Sequence, residues 1–427
     1  MNTRETVRSE SFDEQYTILR HSSGLDVLIW EKEGFSSTEA RFATKYGSVN
    51  TSFRKSPDEP FVSVPEGIAH YLEHKLFENE DTDVFELYAK TGAMANAYTS
   101  FDRTVYLFST TDNWEESLRI LLDFVQKPYF TQENVDKERG IIGQEIKMVQ
   151  DSPERKNFFD LMQALYVRHP VRIDIAGTVE SIEEITPELL YKCYGTFYNL
   201  HNMVLVLAGN VDIGKVEELC DELLKPSEPI QLESRYPEEP PEAGQQRISS
   251  VFPVGVPMFS IGFKSAPCSG MEYEKKSLLG YFAMKQLFGS GAAFLRQLQE
   301  EGLVNSHCSF EDFSSSGSYF CLILSGESED PEEVYRRVLA EIERLKQEGI
   351  DREYFEATKK NLYGSTIRSL NNMEDCAGSM LSSYFNGTTV FDSAELLAAL
   401  TPEDVEQALE ELFDPRASAI SIINTQS

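Results

Sequence analysis

Two periodicities divide this chain. Apolar residues at every second position mark strands, and apolar residues three and four apart mark helix faces. Segments 15–19 and 25–30 alternate on either side of Ser22-Ser23-Gly24, the pattern of a hairpin. Segment 37–49 predicts a longer strand ending near Gly47. Segments 95–99 and 104–110 predict two strands joined through Ser100-Phe101-Asp102-Arg103, and 203–208 is an apolar run of strand length closed by Gly209-Asn210. Helical spacing covers 65–77, 83–91, 113–127, 131–150, 185–198 and 211–224, and 151–174 reads as helix running into loop. Some of these carry end signals. Gly92 stops one and Thr131 caps another, while Ser63 and Glu66 stand in capping-box spacing around Pro65 at the start of 65–77.

The periodicity breaks at 226–246, where five prolines and five glutamates occur without any repeat. That composition predicts an extended, solvated linker. Beyond it the order of elements repeats in outline. A strand over 258–266 precedes a long helix over 272–288, whose residues 281–288 line up with 70–77. Strands near 304–310 and 319–324 follow, then helices over 331–348, 352–370 and 373–385, and a last strand over 417–423. Strands fall in clusters with helices between the clusters, so the fold expected is α+β. It comprises two homologous domains, 1–225 and 247–427, each a mainly antiparallel sheet flanked by helices, joined by the linker 226–246.

A chain of 427 residues exceeds what one core usually serves, in keeping with two domains. Its 71 acidic and 39 basic residues leave a net charge of −32. Such a surface repels nucleic-acid phosphates and anionic membranes, which sets both aside as partners, and it favours cationic peptides or simple solubility. The six cysteines are scattered with no Cys-x-x-Cys pair, so reduced thiols are expected. Segment 1–16 has neither the apolar core of a signal peptide nor transit-peptide character, and no run approaches the ~18 apolar residues of a membrane span. A cytoplasmic protein is expected.

The chemistry lies on two of the helices. At 100° per residue, His70, Glu73, His74, Glu66 and Phe77 share one face of 65–77, and Ile68, Leu72 and Leu76 share the opposite face. Imidazoles four apart on a helix can share one tetrahedral metal. Glu73 is too close in sequence to serve easily as a third ligand and is well placed to hold a water, which suggests a zinc hydrolase. On the helix 131–150, Glu138 and Glu145 lie within the apolar stripe of Val135, Ile142, Ile146 and Val149. Carboxylates on a core-facing stripe are costly unless paired or metal-bound. Two structural salt bridges would meet that cost. So would a metal centre in which Glu145 is the third ligand and Glu138 orients a ligating histidine. Other motifs fall away. Gly289-Ser290-Gly291-Ala292 lacks the Lys-Ser/Thr of a phosphate loop and follows no strand, and no Gly-x-Ser-x-Gly elbow occurs. His21, His169, His201 and His307 read as structural or solvated.

His70-x-x-Glu73-His74, with Glu138 and Glu145 about seventy residues later, resembles the inverzincin peptidases. This is the pitrilysin–insulysin family with its mitochondrial-processing-peptidase branch. Gly67-Ile68-Ala69, Asn96-Ala97-Tyr98-Thr99, Glu145-Ile146-Lys147-Met148 and Asp151-Ser152-Pro153 resemble the family as well. The resemblance spans nearly the whole chain, because half-length members consist of two homologous α+β domains and a linker. It implies that His70, His74 and Glu145 bind one Zn2+ per chain, and that Glu138 is the family's second acid. Glu73 is then the general base that takes a proton from the attacking water and delivers it to the leaving amine. Asn96 and Ala97 match the edge strand on which a peptide adds as an extra β-strand.

One departure stands out. The family usually supplies an Arg and a Tyr from a C-terminal domain to grip substrate and stabilise the oxyanion, whereas Gln299 and Asn305 occupy the matching stretch here. A related partner subunit that supplies the pair is therefore expected. The function expected is a zinc-dependent endopeptidase acting on peptides or short unfolded chains inside a closed chamber, as the zinc-bearing subunit of a heterodimer. The other reading of the same fold is a non-catalytic peptide-binding or assembly subunit.

Overall fold

The computed structural model describes residues 1–80 and 83–426. Alternation at the start of the chain folds as β1 (Thr3–Ser9), β2 (Glu14–Arg20), β3 (Asp26–Glu31) and β4 (Thr38–Thr44). The strand predicted over 37–49 stops at Thr44 because the chain must turn at Gly47. A Cβ there would lie 2.4 Å from backbone atoms of Phe101 and Asp102, and Asn50 Oδ1 accepts the Gly47 N–H at 2.8 Å. Short strands β5 (Ser52–Arg54) and β6 (Val62–Ser63) lead into helices α1 (Ile68–Leu76) and α2 (Val84–Thr91). A strand pair, β7 (Met94–Thr99) and β8 (Thr104–Thr110), precedes the helices α3 (Trp114–Val125), α4 (Gln132–Gln150), α5 (Pro153–Leu165), α6 (Val179–Glu183) and α7 (Pro187–Phe197). The apolar run becomes β9 (Met203–Gly209), followed by α8 (Ile213–Leu223) and a short strand, β10 (Glu233–Ser234), inside the predicted linker.

The second half opens with β11 (Arg247–Phe252), β12 (Met258–Ser265), α9 (Gly270–Phe288) and α10 (Ala293–Glu300). It continues through β13 (Ser309–Ser315), β14 (Tyr319–Glu327), α11 (Pro331–Glu348), α12 (Arg352–Ser369) and α13 (Met373–Asn386), and ends with α14 (Asp392–Ala399), α15 (Pro402–Leu412) and β15 (Ser418–Thr425). Strands β1 and β11 carry no clear sequence signal. Both lie at sheet edges, and most of their side chains are exposed or half-buried.

The strand order reveals the duplication. The first sheet runs β1-β2-β3-β9-β4-β8-β7 and the second β11-β15-β12-β14-β13. The last five strands of the first match the second in order and direction: a parallel pair (β3 with β9, β11 with β15), then three antiparallel pairs ending on the free edges of β7 and β13. The fold is α+β with two homologous halves, as the pattern of elements suggests.

The halves exchange helices. Helix α5 belongs to the first half by sequence, yet its buried Leu161, Met162 and Leu165 pack with Cys321, Ile323 and Ala419 of the second sheet. Reciprocally, Ala377, Met380 and Leu381 of α13 cover Trp30, Val204 and Val206 of the first sheet. The segment 226–246 is extended, with every side chain exposed or half-buried, and it is also pinned to both halves, which its composition does not signal. β10 pairs with β5, and Arg235 N–H donates to Ser52 O at 2.9 Å. The Glu239 carboxylate accepts the backbone N–H groups of Val167 and Arg168 at 2.7 Å and of His169 at 2.9 Å, together with Lys264 Nζ at 2.8 Å. A glutamate that satisfies three orphan donors and an ammonium is a fastener, which composition alone cannot disclose.

His169 sits at this junction. It is 3% exposed and packs against Tyr166, against Tyr236 of the linker and against Tyr319 of the second half. Burial pushes it down to about 4 from 6.5. As pH falls, the unfolded chain therefore takes the proton first, so the stability due to neutral His169 is complete above pH 6.5 and is lost on the way to pH 4. The unfolding free energy from urea titrations should drop across that window by up to about 3 kcal/mol, and His169→Gln should flatten the drop. The helix exchange yields a second expectation. Fragments 1–225 and 247–427 should aggregate when expressed apart, because each leaves one sheet face bare, and should recover solubility when co-expressed. A cooperative two-state transition from fragment 1–225 alone would contradict this.

Candidate metal and catalytic centre

Helix α1 starts at Ile68, three residues later than its end signals suggest, and no side chain caps it. Its N-cap is Gly67 at φ 85°, held against the turn at Ala176, whose carbonyl oxygen would lie 2.3 Å from a Cβ at that position. This close approach decides the start, and only glycine tolerates both the left-handed backbone and the contact. Ile68, Tyr71, Leu72 and Leu76 are buried in the first core. The Tyr71 hydroxyl donates to Val135 O and so ties α1 to α4. The opposite face carries His70, Glu73 and His74.

Helix α4 begins with the predicted cap: Thr131 and Asn134 form a reciprocal capping box. Val135, Ile142 and Ile146 are buried, and so is Glu138 at 9% exposure. His74 Nδ1–H donates to Glu138 Oε1 at 3.0 Å, which leaves the Nε2 lone pair free. The second Glu138 oxygen lies 4.0 Å from Nζ of the fully buried Lys75, which also pairs with Glu78. Two turns along α4, Glu145 faces both imidazoles. Its oxygens lie 3.6 Å from His70 Nε2 and 3.7 Å from His74 Nε2. Those separations are long for hydrogen bonds. They match the roughly 3.4 Å expected between two donors bound at about 2.1 Å to one tetrahedral ion. Among the described residues, His70, His74 and Glu145 form the one group of three metal-ligating side chains with converging donor atoms. Two imidazoles and a carboxylate suit a divalent ion of zinc's hardness.

The electrostatics fit the same use. Burial, and then the neighbouring His74, lower His70 to about 4, so it offers a neutral ring. For His74 burial is the largest single influence and acts downward, but the Glu138 hydrogen bond and the charges of Glu73, Glu138 and Glu145 outweigh it and raise the group. Burial likewise opposes ionisation of Glu138, and the His74 and Lys75 contacts overcome it, holding that carboxyl below its usual range. Glu73 is 8% exposed. Burial raises it despite the Thr99 hydroxyl, which donates to Oε2 at 2.6 Å, and despite the charge of His74. A desolvated carboxylate raised in this way is a stronger base than one in water.

Thr99 ends β7, so the same hydrogen bond ties Glu73 to the outermost strand of the first sheet. Asn96 and Ala97 lie in the middle of that strand, where the Asn96 side chain covers the Ala97 N–H at 2.9 Å. Gln299 and Asn305 are neighbours as well, but they are engaged locally. Gln299 Nε2 donates to Asn305 O at 3.3 Å, and Asn305 Nδ2 bonds to Glu327. Sequence reading did not single out Thr99, Lys75 or the Arg155–Asp174 pair whose charges act on His70. Thr99 stands within a quoted family run, but nothing local to it signals its partner.

With this geometry in view, the comparisons with known proteins are specific. Residues 64–179 match the family model described as Insulinase (Peptidase family M16), and residues 184–362 match the Peptidase M16 inactive domain. The chain is 40% identical to YmfH, an uncharacterized zinc protease of Bacillus subtilis, over 91% of its own length and 92% of that protein's. The chain belongs to the M16 peptidase family. A crystal structure of an M16-like peptidase from Alicyclobacillus acidocaldarius superposes with a TM-score of 0.91 at 35% identity, covering 100% of this chain and 99% of that one. Pitrilysin shares the fold at a TM-score of 0.76 and 18% identity, and this chain covers 46% of its length. The M16 chain described here therefore has the span of a half-length unit. No helix among its described residues is long and apolar enough to cross a membrane.

The centre of this M16 peptidase yields a direct expectation. Purified protein should carry close to one zinc per chain by metal analysis, and His70→Ala should lose it. Glu138→Gln should weaken zinc affinity about 10–100-fold, because His74 loses the negative charge that raises its basicity, even though an amide oxygen remains to accept its Nδ1–H. Unchanged affinity in Glu138→Gln would reduce Glu138 to a structural partner of Lys75.

Proposed function

We propose that this protein is a zinc-dependent endopeptidase hydrolysing peptides or short unfolded chains, and that it works as the zinc-bearing subunit of a heterodimer. The observation that carries the reading is the convergence of His70 Nε2 and His74 Nε2 on Glu145 at 3.6 and 3.7 Å, with the buried Glu73 on the same helix face. In this reading His70, His74 and Glu145 hold the metal, and Glu138 holds His74 in the Nδ1–H tautomer. Zinc supplies Lewis acidity there, polarising a carbonyl and bringing the pKa of water down to about 7. Glu73 takes the proton from the attacking water, and its raised pKa lets it keep that proton until the leaving amine collects it. Thr99 fixes the carboxylate while this happens.

Substrate lies along β7. A peptide adding to that free edge beside Asn96 and Ala97 displaces the Asn96 side chain from the Ala97 N–H and pairs with the outward main-chain groups, so grip comes from the backbone and sequence demand is loose. The strand leads to Thr99, and hence a peptide paired with it passes beside Glu73. Relatives named as zinc proteases, among them PqqE of Helicobacter pylori at 25% identity, support the chemistry. The pitrilysin chain of the same fold is about twice as long, which leaves room there for a second such unit. Here Gln299 and Asn305 hold each other and Glu327, so the substrate-gripping Arg and Tyr are assigned to a partner subunit. An oxyanion donor of that kind is worth about 10²–10³ in rate. The six free thiols accord with a reducing, cytoplasmic setting.

Two measurements test this. Glu73→Gln should retain zinc and abolish cleavage of a quenched-fluorescence peptide library, and persistent cleavage would remove Glu73 as the base. The wild-type chain alone should cleave slowly and accelerate at least a hundredfold with its co-purifying partner. Full activity from the isolated chain would refute the heterodimer. Stable peptide binding with no cleavage under any pairing would favour the non-catalytic reading.

A further inference from the structure

Beside the metal centre lies a cavity of about 640 Å³, within the range that holds small ligands or a few side chains. Glu66, which precedes the glycine cap of α1, and Ile146, which follows Glu145, both line it. So do Arg155 and Asp174, whose charges act on His70. The cavity therefore adjoins the His70 side of the centre. Its apolar lining comes from Ile146, Val149 and Phe159 together with Phe252 of the second half.

Its charge runs against that of the molecule. The chain carries −32 overall, yet four cationic side chains line this cavity, Arg155, Lys156, Arg168 and Arg172, against the carboxylates of Glu66 and Asp174. Arg155 is neutralised by a two-pronged bond to Asp174 at 2.6 and 2.8 Å, and Lys156 by Asp160. Arg168 and Arg172 form no ion pair among the described residues. Arg168 Nη1 donates to Glu238 O at 3.3 Å and Arg172 Nη1 to Val167 O at 2.9 Å. The Nε of Arg172 is buried with no acceptor. A buried guanidinium N–H without an acceptor is costly to maintain, and the remaining N–H groups of two arginines that lack carboxylate partners suit a carboxylate.

We propose that this cavity is a carboxylate-binding subsite for the peptide substrate, with Arg168 and Arg172 as its specificity-determining residues. The proposal rests on the peptidase reading above. The substrate places an acidic group at the two arginines and apolar atoms against the apolar lining while its backbone runs beside Glu73. The carboxylate comes from an Asp or Glu side chain or from a C-terminus. The acidic exterior repels such peptides only within a Debye length of about 8 Å at physiological salt, so the arginines of the cavity decide the preference locally.

The test uses zinc-loaded Glu73→Gln protein, which binds without cleaving, and fluorescence anisotropy of labelled peptides. One set scans a single Glu along a neutral peptide with blocked ends, a second places Gln at the same positions, and a third is the Gln peptide with a free C-terminus. At one Glu position, or with the free C-terminus, binding should be about tenfold tighter than for the blocked Gln peptide. The arm that shows the increase names the source of the carboxylate. Adding Arg168→Gln and Arg172→Gln should erase the difference. Should the double variant not fold, Arg168→Gln alone, at an exposed position, should still reduce it several-fold. Equal binding in all arms, or a preference that survives these substitutions, would overturn the subsite. A wild-type chain that cleaves no peptide, alone or with its partner, would instead overturn the peptidase reading, and the binding comparison would still decide the subsite.

Discussion

The site depends on how one buried carboxylate is compensated. Glu138 lies on the core-facing side of α4, where an unpaired charge would cost several kcal/mol. It is matched by the His74 N–H at 3.0 Å and by the buried Lys75 ammonium at 4.0 Å. Both partners stand on α1, so the pairing sets how α1 and α4 face each other, and the Tyr71 bond to Val135 supports the same alignment. Once it is set, helix geometry brings Glu145, seven residues along α4, opposite the two free imidazole nitrogens. The convergence of the three donor atoms thus goes together with the pairing of a charge two turns away on α4.

A second constraint places this helix pair. Gly67 lets the chain turn into α1 directly against Ala176, which brings the loop after α5 alongside the site. Helix α5 is itself packed on the sheet of the other half, as α13 is on the first sheet. The exchange interlocks the two halves, and Phe252 of the second half forms part of the cavity beside the first half's candidate centre. Thus the second half, although it lacks a metal motif, supplies a wall to that cavity.

The distribution of charge carries a related lesson. A net −32 describes the exterior and says little about a concave surface, where a few side chains dominate the local field. Two arginines without carboxylate partners line a cavity inside an acidic molecule. Glu239 in the linker displays the same chemistry satisfied internally, as a carboxylate gathered by backbone N–H groups and an ammonium.

The sequence by itself determined the α+β class, the repeat of elements across a Pro- and Glu-rich segment, and the helix faces carrying His70, Glu73, His74, Glu138 and Glu145. Each of these is a matter of periodicity and spacing within one element, and local backbone geometry enforces them. It also supplied the five residues of the candidate centre, because a charged residue on an apolar stripe stands out against a regular pattern. Tertiary structure alone decided the rest. That β7 is an edge strand, which beforehand only the family resemblance of Asn96 and Ala97 implied, follows from sheet order, and a strand's neighbours are set by distant segments. Helix α1 begins at Ile68 because Ala176, more than a hundred residues away, occupies the space a side chain would need. The linker is pinned because Glu239 finds donors at Val167, Arg168 and His169, and α5 and α13 cross over because each finds its apolar partner on the other sheet. All of these depend on which surfaces meet, and contacts between residues remote in the chain leave no period to read.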